Sequence, residues 1–320
     1  MSAPPSAARP HRCSTYTDSD EAKNAYPDGV IGSDGLDLRD ALGGVRALLL
    51  DLDGVIVVAG KAVPGSVEAI NELERRGTPY RIVTNTSLVS RATLSRWAAS
   101  IGNEIPAERF QSALSASADF AARTFAGQPL FVIASDDART EFSGQHLLSN
   151  DEAAAPDARA AAVIVGDSAE ELNHANLNSA FRLIRGGAQL VGMHRNAWWL
   201  TAEGPTLDSG AYVAALEFAT GRRARVIGKP APAFFSLAVT ALRSDRANAT
   251  GRLRRDEIAM VGDDITTDVL AGQRAGLRGI FVLTGKHTLD DLSTNDGHGR
   301  GGRAPHAVAP SLADVVAALD

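Results

Sequence analysis

The feature that most constrains this chain is residues 45–57, VRALLLDLDGVIV, where three consecutive leucines abut Asp51 and Asp53, and Gly54 follows. An unbroken apolar run of this length is a strand buried on both faces, as in a parallel sheet covered by helices. Buried strands do not ordinarily end in two acids. Carboxylates one residue apart at the mouth of such a strand repel each other and resist desolvation unless a cation or another strong partner sits between them. The carboxyl end of a parallel strand is also where open α/β sheets place their chemistry. Asp51 is therefore a candidate nucleophile and Asp53 a candidate acid. The same residues also spell a strand closed by an Asp-Gly turn, and this segment alone does not separate the two readings.

Three later stretches do. In YRIVTNTS, Thr84 and Asn85 put a hydroxyl and an amide just past a strand, where they and the turn's N–H groups suit a phosphoryl oxygen. In RVIGKPAPAFF, Lys229 stands between a glycine and a proline at the exit of a short strand, in the position of a phosphate clamp. In EIAMVGDDITTD, a third strand end carries Asp263, Asp264 and Asp268, oxygen ligands of the kind that hold a hard divalent cation such as Mg2+. Singly, each has a plainer reading: a strand terminus, a solvated lysine, caps for a helix starting near Thr266. Their joint appearance in this order argues for a site.

The ordered set resembles the haloacid dehalogenase superfamily of phosphotransferases, through DLDGV at Asp51, VTNT at Thr84, GKP at Lys229 and GDDITTD at Asp263, over about residues 44–320. The wide gap between the second and third motifs, with NSAFRLI, LDSGAYVAALEFATG and VIGKPAPAFF, is similar to the subgroup with a large α/β cap. Within that subgroup the chain looks most like the phospholysine phosphohistidine inorganic pyrophosphate phosphatases and their hydrolase-domain relatives. Those relatives often carry a serine where this chain has Asp53, so the acid position is intact here, which leans toward phosphomonoesters.

The resemblance implies an α/β fold: a doubly wound parallel-sheet core in two parts, 44–126 and 225–320, with an α/β cap inserted over 127–224. It implies a small phosphorylated substrate and Mg2+ held by Asp51, the Asp53 carbonyl and Asp263, with Asp264 and Asp268 in support. Thr84, Asn85 and Lys229 would hold the phosphoryl group, and Asp208 and Tyr212 would select the substrate from the cap. Asp208 is equally explained as a helix N-cap. A homodimer through the cap is also implied. Two rival functions stay open: hydrolysis of pyrophosphate or a phosphorus–nitrogen bond, and a non-catalytic module that binds phosphate or magnesium.

Composition sets limits. A chain of 320 residues that is 44% hydrophobic can bury a full core and has room for about two domains. Its net charge of −6 argues against a nucleic-acid partner. No apolar run approaches the roughly 20 residues that span a bilayer, and the single cysteine, Cys13, forms no internal disulfide. A cytoplasmic setting is expected. Residues 1–40, rich in Pro, Ser, Ala, Asp and Gly, read as a flexible tail; Arg9 and Arg12 without nearby acids offer a targeting peptide as the rival, against which stand the missing apolar stretch and Asp18, Asp20 and Glu21.

Between the motifs, amphipathic patterns predict helices near residues 64–77 and 90–102. PLFVIAS, AAAVIVGD and AQLVGMH predict strands of the cap. Asp167 reads as a turn residue, Trp198 and Trp199 as cap core, and His194 as a residue without a ligand-spaced partner. His287, His298 and His306 are too loosely spaced for a zinc site.

Overall fold

The computed structural model describes residues 37–201, 204–244, 253–294 and 304–319. Fourteen strands follow in chain order: β1 (Ala47–Leu50), β2 (Val57–Val58), β3 (Lys61–Ala62), β4 (Tyr80–Thr84), β5 (Phe110–Ser112), β6 (Leu130–Ile133), β7 (Ala162–Val165), β8 (Gln189–Gly192), β9 (Trp198–Thr201), β10 (Gly204–Leu207), β11 (Arg225–Val226), β12 (Ile258–Gly262), β13 (Arg278–Val282) and β14 (Ala307–Ala309).

Six of them form the core sheet in the order β14-β13-β12-β1-β4-β5, all parallel. The three leucines of β1 are fully buried. Side chains on a strand alternate between faces, and here Leu48 and Leu50 enter one apolar cluster while Ala47 and Leu49 enter the other. Strand order reverses between β1 and β12. Leu50 pairs with Val261, so the first residues past both strands, Asp51 and Asp263, emerge side by side at the switch point. The expected doubly wound core is therefore present.

The helices that return the chain between these strands have local causes. Ser66–Arg76 buries Ala69, Ile70 and Leu73 along one face, and Gly77 ends it at φ 66°, a left-handed conformation that costs glycine little. Arg91–Ser100 is capped by Ser90, whose side chain accepts the Thr93 N–H.

A second sheet, β11-β8-β7-β6, is also all parallel and forms the cap. Its last strand, β11, begins at Arg225, one residue past the expected end of the cap at 224. One face of the cap sheet packs against its own helices, including His174–Arg185 and Ser209–Thr220. The other face does not close on itself. Leu130, Val132, Ile164, Val191 and Met193 share one apolar cluster with Ala47, Leu49, Phe234 and Phe235 of the core. Helix Ala113–Thr124 contributes to that shared cluster from between the two sheets. A large apolar junction of this kind opposes free relative motion of the two units.

Two hairpins, β2-β3 and β9-β10, stand outside both sheets and were not legible in the sequence. The second corrects an expectation. Trp198 and Trp199 lie on β9 and are 59% and 41% exposed, because a two-stranded ribbon with no sheet stacked on it has no core to enter. Of the expected tail, residues 1–36 lie outside the described residues, whereas helix Leu38–Leu42 sets Ala41 and Leu42 into the core. His298 also lies outside. No helix among the described residues is long and apolar enough to cross a membrane.

Candidate active site

Three strand ends and one loop bring the predicted residues together. Asp51 follows β1, Thr84 ends β4, Asp263 and Asp264 follow β12, and Lys229 comes three residues after β11. The Lys229 ammonium is buried and lies 2.7 Å from Asp51 Oδ1 and 2.7 Å from Asp268 Oδ1. It also donates to the Val83 carbonyl at 3.2 Å. Asp51 Oδ1 accepts the Leu52 N–H at 2.8 Å as well, so both bonds fall on one oxygen.

Charge does not balance within this cluster. Asp51, Asp263 and Asp268 each offer an oxygen, all within 4.8 Å of one another, and all three residues are buried. One ammonium serves three carboxylates. Asp264 is committed elsewhere: its side chain caps the following turn through the Thr266 and Thr267 N–H groups and accepts from Lys286 Nζ at 2.8 Å.

The acidities record the imbalance. Burial pushes Asp51 up to about 6, with Lys229 pulling it back and Asp263 and Asp53 pushing it further. Burial likewise pushes Asp263 up to about 7, helped by the charge of Asp268 and opposed by the Lys286 N–H. Asp268 is raised well above the carboxylate range by burial and then by Asp51. On Asp264 burial acts upward too, but the charge and bond of Lys286 outweigh it and hold the group at about 2. For Lys229, desolvation disfavours the ammonium, and Asp268 and Asp51 more than offset it. Three carboxylates around one ammonium, offering oxygen ligands only, form a donor set of the kind that suits a hard divalent cation.

Asp53 differs from its neighbours in being exposed to solvent. Surrounding protein still displaces enough water to raise its carboxyl, with Lys229 lowering and Asp268 raising it further. A carboxyl raised in this way is suited to carry a proton.

Thr84 is fully buried, and its hydroxyl accepts the Thr86 N–H at 3.1 Å. Asn85 donates through Nδ2 to the Lys229 carbonyl at 3.1 Å and lies 3.5 Å from Asn196 Oδ1. Of the two expected specificity residues, Asp208 is the N-cap of helix Ser209–Thr220, its Oδ1 accepting the Ser209 N–H at 2.6 Å. Tyr212 is half-buried against the cap's own apolar cluster. Neither is brought to the aspartates by any recorded contact.

Sequence reasoning missed the loop 284–286, which closes over Asp263. The Lys286 N–H donates to Asp263 Oδ2 at 2.6 Å, and the Thr284 hydroxyl donates to the Gly54 carbonyl at 2.5 Å. A Cβ on Gly54 or Gly285 would fall 2.1 or 2.0 Å from Asp263 Oδ2, so backbone presses on this carboxylate from two sides. The available signal was positional: LTGK follows the strand next to β12, at the same edge of the sheet.

Fold and site together define a doubly wound α/β enzyme with an inserted cap and a buried cluster of aspartates at the switch point of its core sheet. The chain belongs to the haloacid dehalogenase-like hydrolase family. A family model of that description matches residues 48–147, and a HAD-hydrolase-like model matches residues 226–315, one on each side of most of the cap. Haloacid dehalogenase-like hydrolase domain-containing protein 2 of Bos taurus is 33% identical over 247 residues, 77% of this chain and 87% of its own length. The phospholysine phosphohistidine inorganic pyrophosphate phosphatase of Homo sapiens is 33% identical over 258 residues, 78% of this chain and 87% of its own. Among solved structures, the p-nitrophenyl phosphatase from Archaeoglobus fulgidus superposes with a TM-score of 0.74 at 28% identity, covering 86% of this chain and 99% of that one.

Proposed function

We propose that the protein is a magnesium-dependent phosphatase that hydrolyses a small phosphorylated metabolite through an aspartyl-phosphate on Asp51. The observation that carries this reading is the buried cluster in which Lys229 bridges Asp51 and Asp268 while Asp263 adds uncompensated charge. Asp51 attacks phosphorus and forms a new P–O bond as the bond to the leaving oxygen breaks; Asp53 gives that oxygen a proton. Asp53 then takes a proton from water, whose oxygen attacks phosphorus and releases phosphate from Asp51. Asp51, the Asp53 carbonyl and Asp263 would hold Mg2+, supported by Asp268 and less directly by Asp264, whose oxygens already serve Lys286 and the turn N–H groups; the ion would supply positive charge against the phosphoryl oxygens. Thr84, Asn85 and Lys229 hold those oxygens. The proposed setting is cytoplasmic.

The test is phosphate release from a panel of phosphomonoesters, pyrophosphate and phosphohistidine, with and without Mg2+, for wild type, Asp51→Asn and Asp53→Asn. Loss of monoester turnover in both variants supports the reading. A mild Asp53→Asn phenotype would instead favour the second reading, a pyrophosphate or phosphorus–nitrogen target whose leaving group needs no acid; similarity to the phospholysine phosphohistidine inorganic pyrophosphate phosphatase supports considering it.

A homodimer through the cap belongs to the same proposal. Trp198, Trp199 and Leu207 on the β9-β10 hairpin are exposed, and so is Phe218, at 93%, on the helix that packs against β9. Surfaces of this apolar character mark interfaces. Phe218→Lys should then shift the sedimenting species from dimer to monomer.

A further inference from the structure

Where the loop after β4 passes beneath the cap, His194 is buried with no part in the chemistry above. Its ring is 2% exposed. Nε2 lies 3.0 Å from Ser87 Oγ, 3.1 Å from Ser209 Oγ and 3.5 Å from Asp208 Oδ1. Nδ1 accepts the Asn196 N–H at 3.3 Å. A ring nitrogen that receives an N–H carries no proton of its own, so the neutral ring must bear its hydrogen on Nε2, facing the two serines. Desolvation pushes the His194 pKa down to about 4, with Asp167 opposing, and the ring is therefore neutral at pH 7.

A nucleophilic serine arrangement does not fit these groups. Asp208 approaches the same nitrogen as Ser87 rather than the opposite one, and Ser87 itself is 1% exposed, out of reach of a substrate.

What the cluster does is join segments. Ser87 comes from the core loop after β4, and Ser209 begins a cap helix. Ser87 Oγ also accepts the Asp167 N–H at 2.9 Å, which ties in the end of β7. Two residues before Ser87 is Asn85; two residues after His194 is Asn196, and these two side chains meet beside the Lys229 carbonyl. His194 thus holds Ser87 through one nitrogen and the Asn196 backbone through the other, and Asn85 sits between the two held points.

We propose that His194 is a positioning residue that seats the Asn85 loop beneath the cap, its Nε2–H bridge between Ser87 and Ser209 setting the affinity of the site for a phosphoryl group. The kinetic half of this proposal rests on the phosphatase reading; the hydrogen-bond half does not. Three variants separate the two nitrogens. His194→Gln places an amide N–H near Nε2, His194→Asn keeps an acceptor near Nδ1 but cannot reach the serines, and His194→Ala removes both.

With p-nitrophenyl phosphate as the probe, KM should rise about fivefold or more in the Ala and Asn variants, with kcat within about twofold, and the Gln variant should restore KM. Amide hydrogen exchange on the same proteins, with no substrate added, should show lost protection at Asp167 and Asn196 in Ala, at Asn196 alone in Gln, and at Asp167 alone in Asn.

Equal losses in kcat and KM across all three variants, or exchange unchanged by His194→Ala, would overturn the proposal. If wild type hydrolyses no phosphomonoester, the functional reading falls; calorimetric binding of inorganic phosphate then replaces KM, and the same ranking of variants decides the role of His194.

Discussion

Two parallel sheets meet in this molecule by their carboxyl ends, and the two ends are built from opposite materials. In the core, the residues just past β1 and β12 are the acids Asp51 and Asp263, crowded with Asp268 around one buried lysine that bridges Asp51 and Asp268. In the cap, the residues two positions past β6, β7 and β8 are Ser135, Asp167 and His194, and each meets the core loop after β4 through a hydrogen bond. Ser135 donates to the Leu88 carbonyl at 2.7 Å, the Asp167 N–H goes to Ser87, and His194 shares its proton with the same serine. The common spacing follows from register, since the last residues of the three strands, Ile133, Val165 and Gly192, are paired across the cap sheet. The core end stores electrostatic stress that a ligand can relieve. The cap end is already satisfied and holds position.

The largest effect expected from this contrast is on the core side. Asp51→Asn removes the oxygen proposed as nucleophile and should lower turnover by about 10^4-fold or more in a steady-state assay. It should leave cap-side amide exchange at Asp167 and Asn196 unchanged, and a variant that disturbed both would erase the distinction between the two ends.

A second prediction concerns pH, where the two ends carry opposite signs. Asp263 titrates at about 7 in the fold against 3.8 in the unfolded chain, so the folded state binds the extra proton between those values. In EDTA its contribution to stability is complete below pH 3.8 and lost as pH rises toward 7, by about 4 kcal/mol. His194, flanked by Asp167 and Asp208, titrates at about 4 in the fold against 6.5 unfolded. Its contribution is complete above pH 6.5 and lost as pH falls toward 4, by about 3 kcal/mol. Asp51, Asp53 and Asp268 are raised as well as Asp263, so urea denaturation in EDTA from pH 4 to 7 should show stability falling with pH in wild type. Asp263→Asn should make that fall shallower, and His194→Gln should make it steeper.

The smallest effect tests the outer stitching of the cap. Asp137, in the cap, accepts from the Ser90 N–H at 2.7 Å, the Ser90 hydroxyl at 3.0 Å and the Thr93 hydroxyl at 2.9 Å, all at the start of a core helix. Its carboxylate is stabilised there, its pKa lowered despite burial by those bonds. Asp137→Ala should cost about 1–2 kcal/mol of unfolding free energy and leave kcat unchanged. A larger loss would mean that the cap depends on this edge more than on its shared apolar face.

The two ends were unequally legible in the sequence, for the same physical reason that they differ. Acids stranded beside apolar runs violate local expectation, so Asp51 and Asp263 stand out as candidates, and their order along the chain with Lys229 argues for a site where no single segment does. The cap's hydrogen bonds break no local rule. Ser87 and His194 are 107 positions apart, and nothing about an isolated histidine after a strand says which serine it will find. The exposed tryptophans misled for a related reason: hydrophobic character predicts burial only where a second layer exists, and the ribbon carrying them has none. Lys286 lay beyond the acidic motif, and only the pairing of β13 with β12 brings it back to Asp263.

The placement of Lys229 has a mechanical consequence. Its main chain leaves the edge of the cap sheet directly, the preceding Gly228 N–H still bonded to the Met193 carbonyl at 2.8 Å, while its ammonium is anchored among core aspartates. The lysine is a short tether with one end on each sheet. A tilt of one sheet against the other would therefore strain an ion pair that both sheets share, so the seating of the cap and the charge balance of the core aspartates are set together.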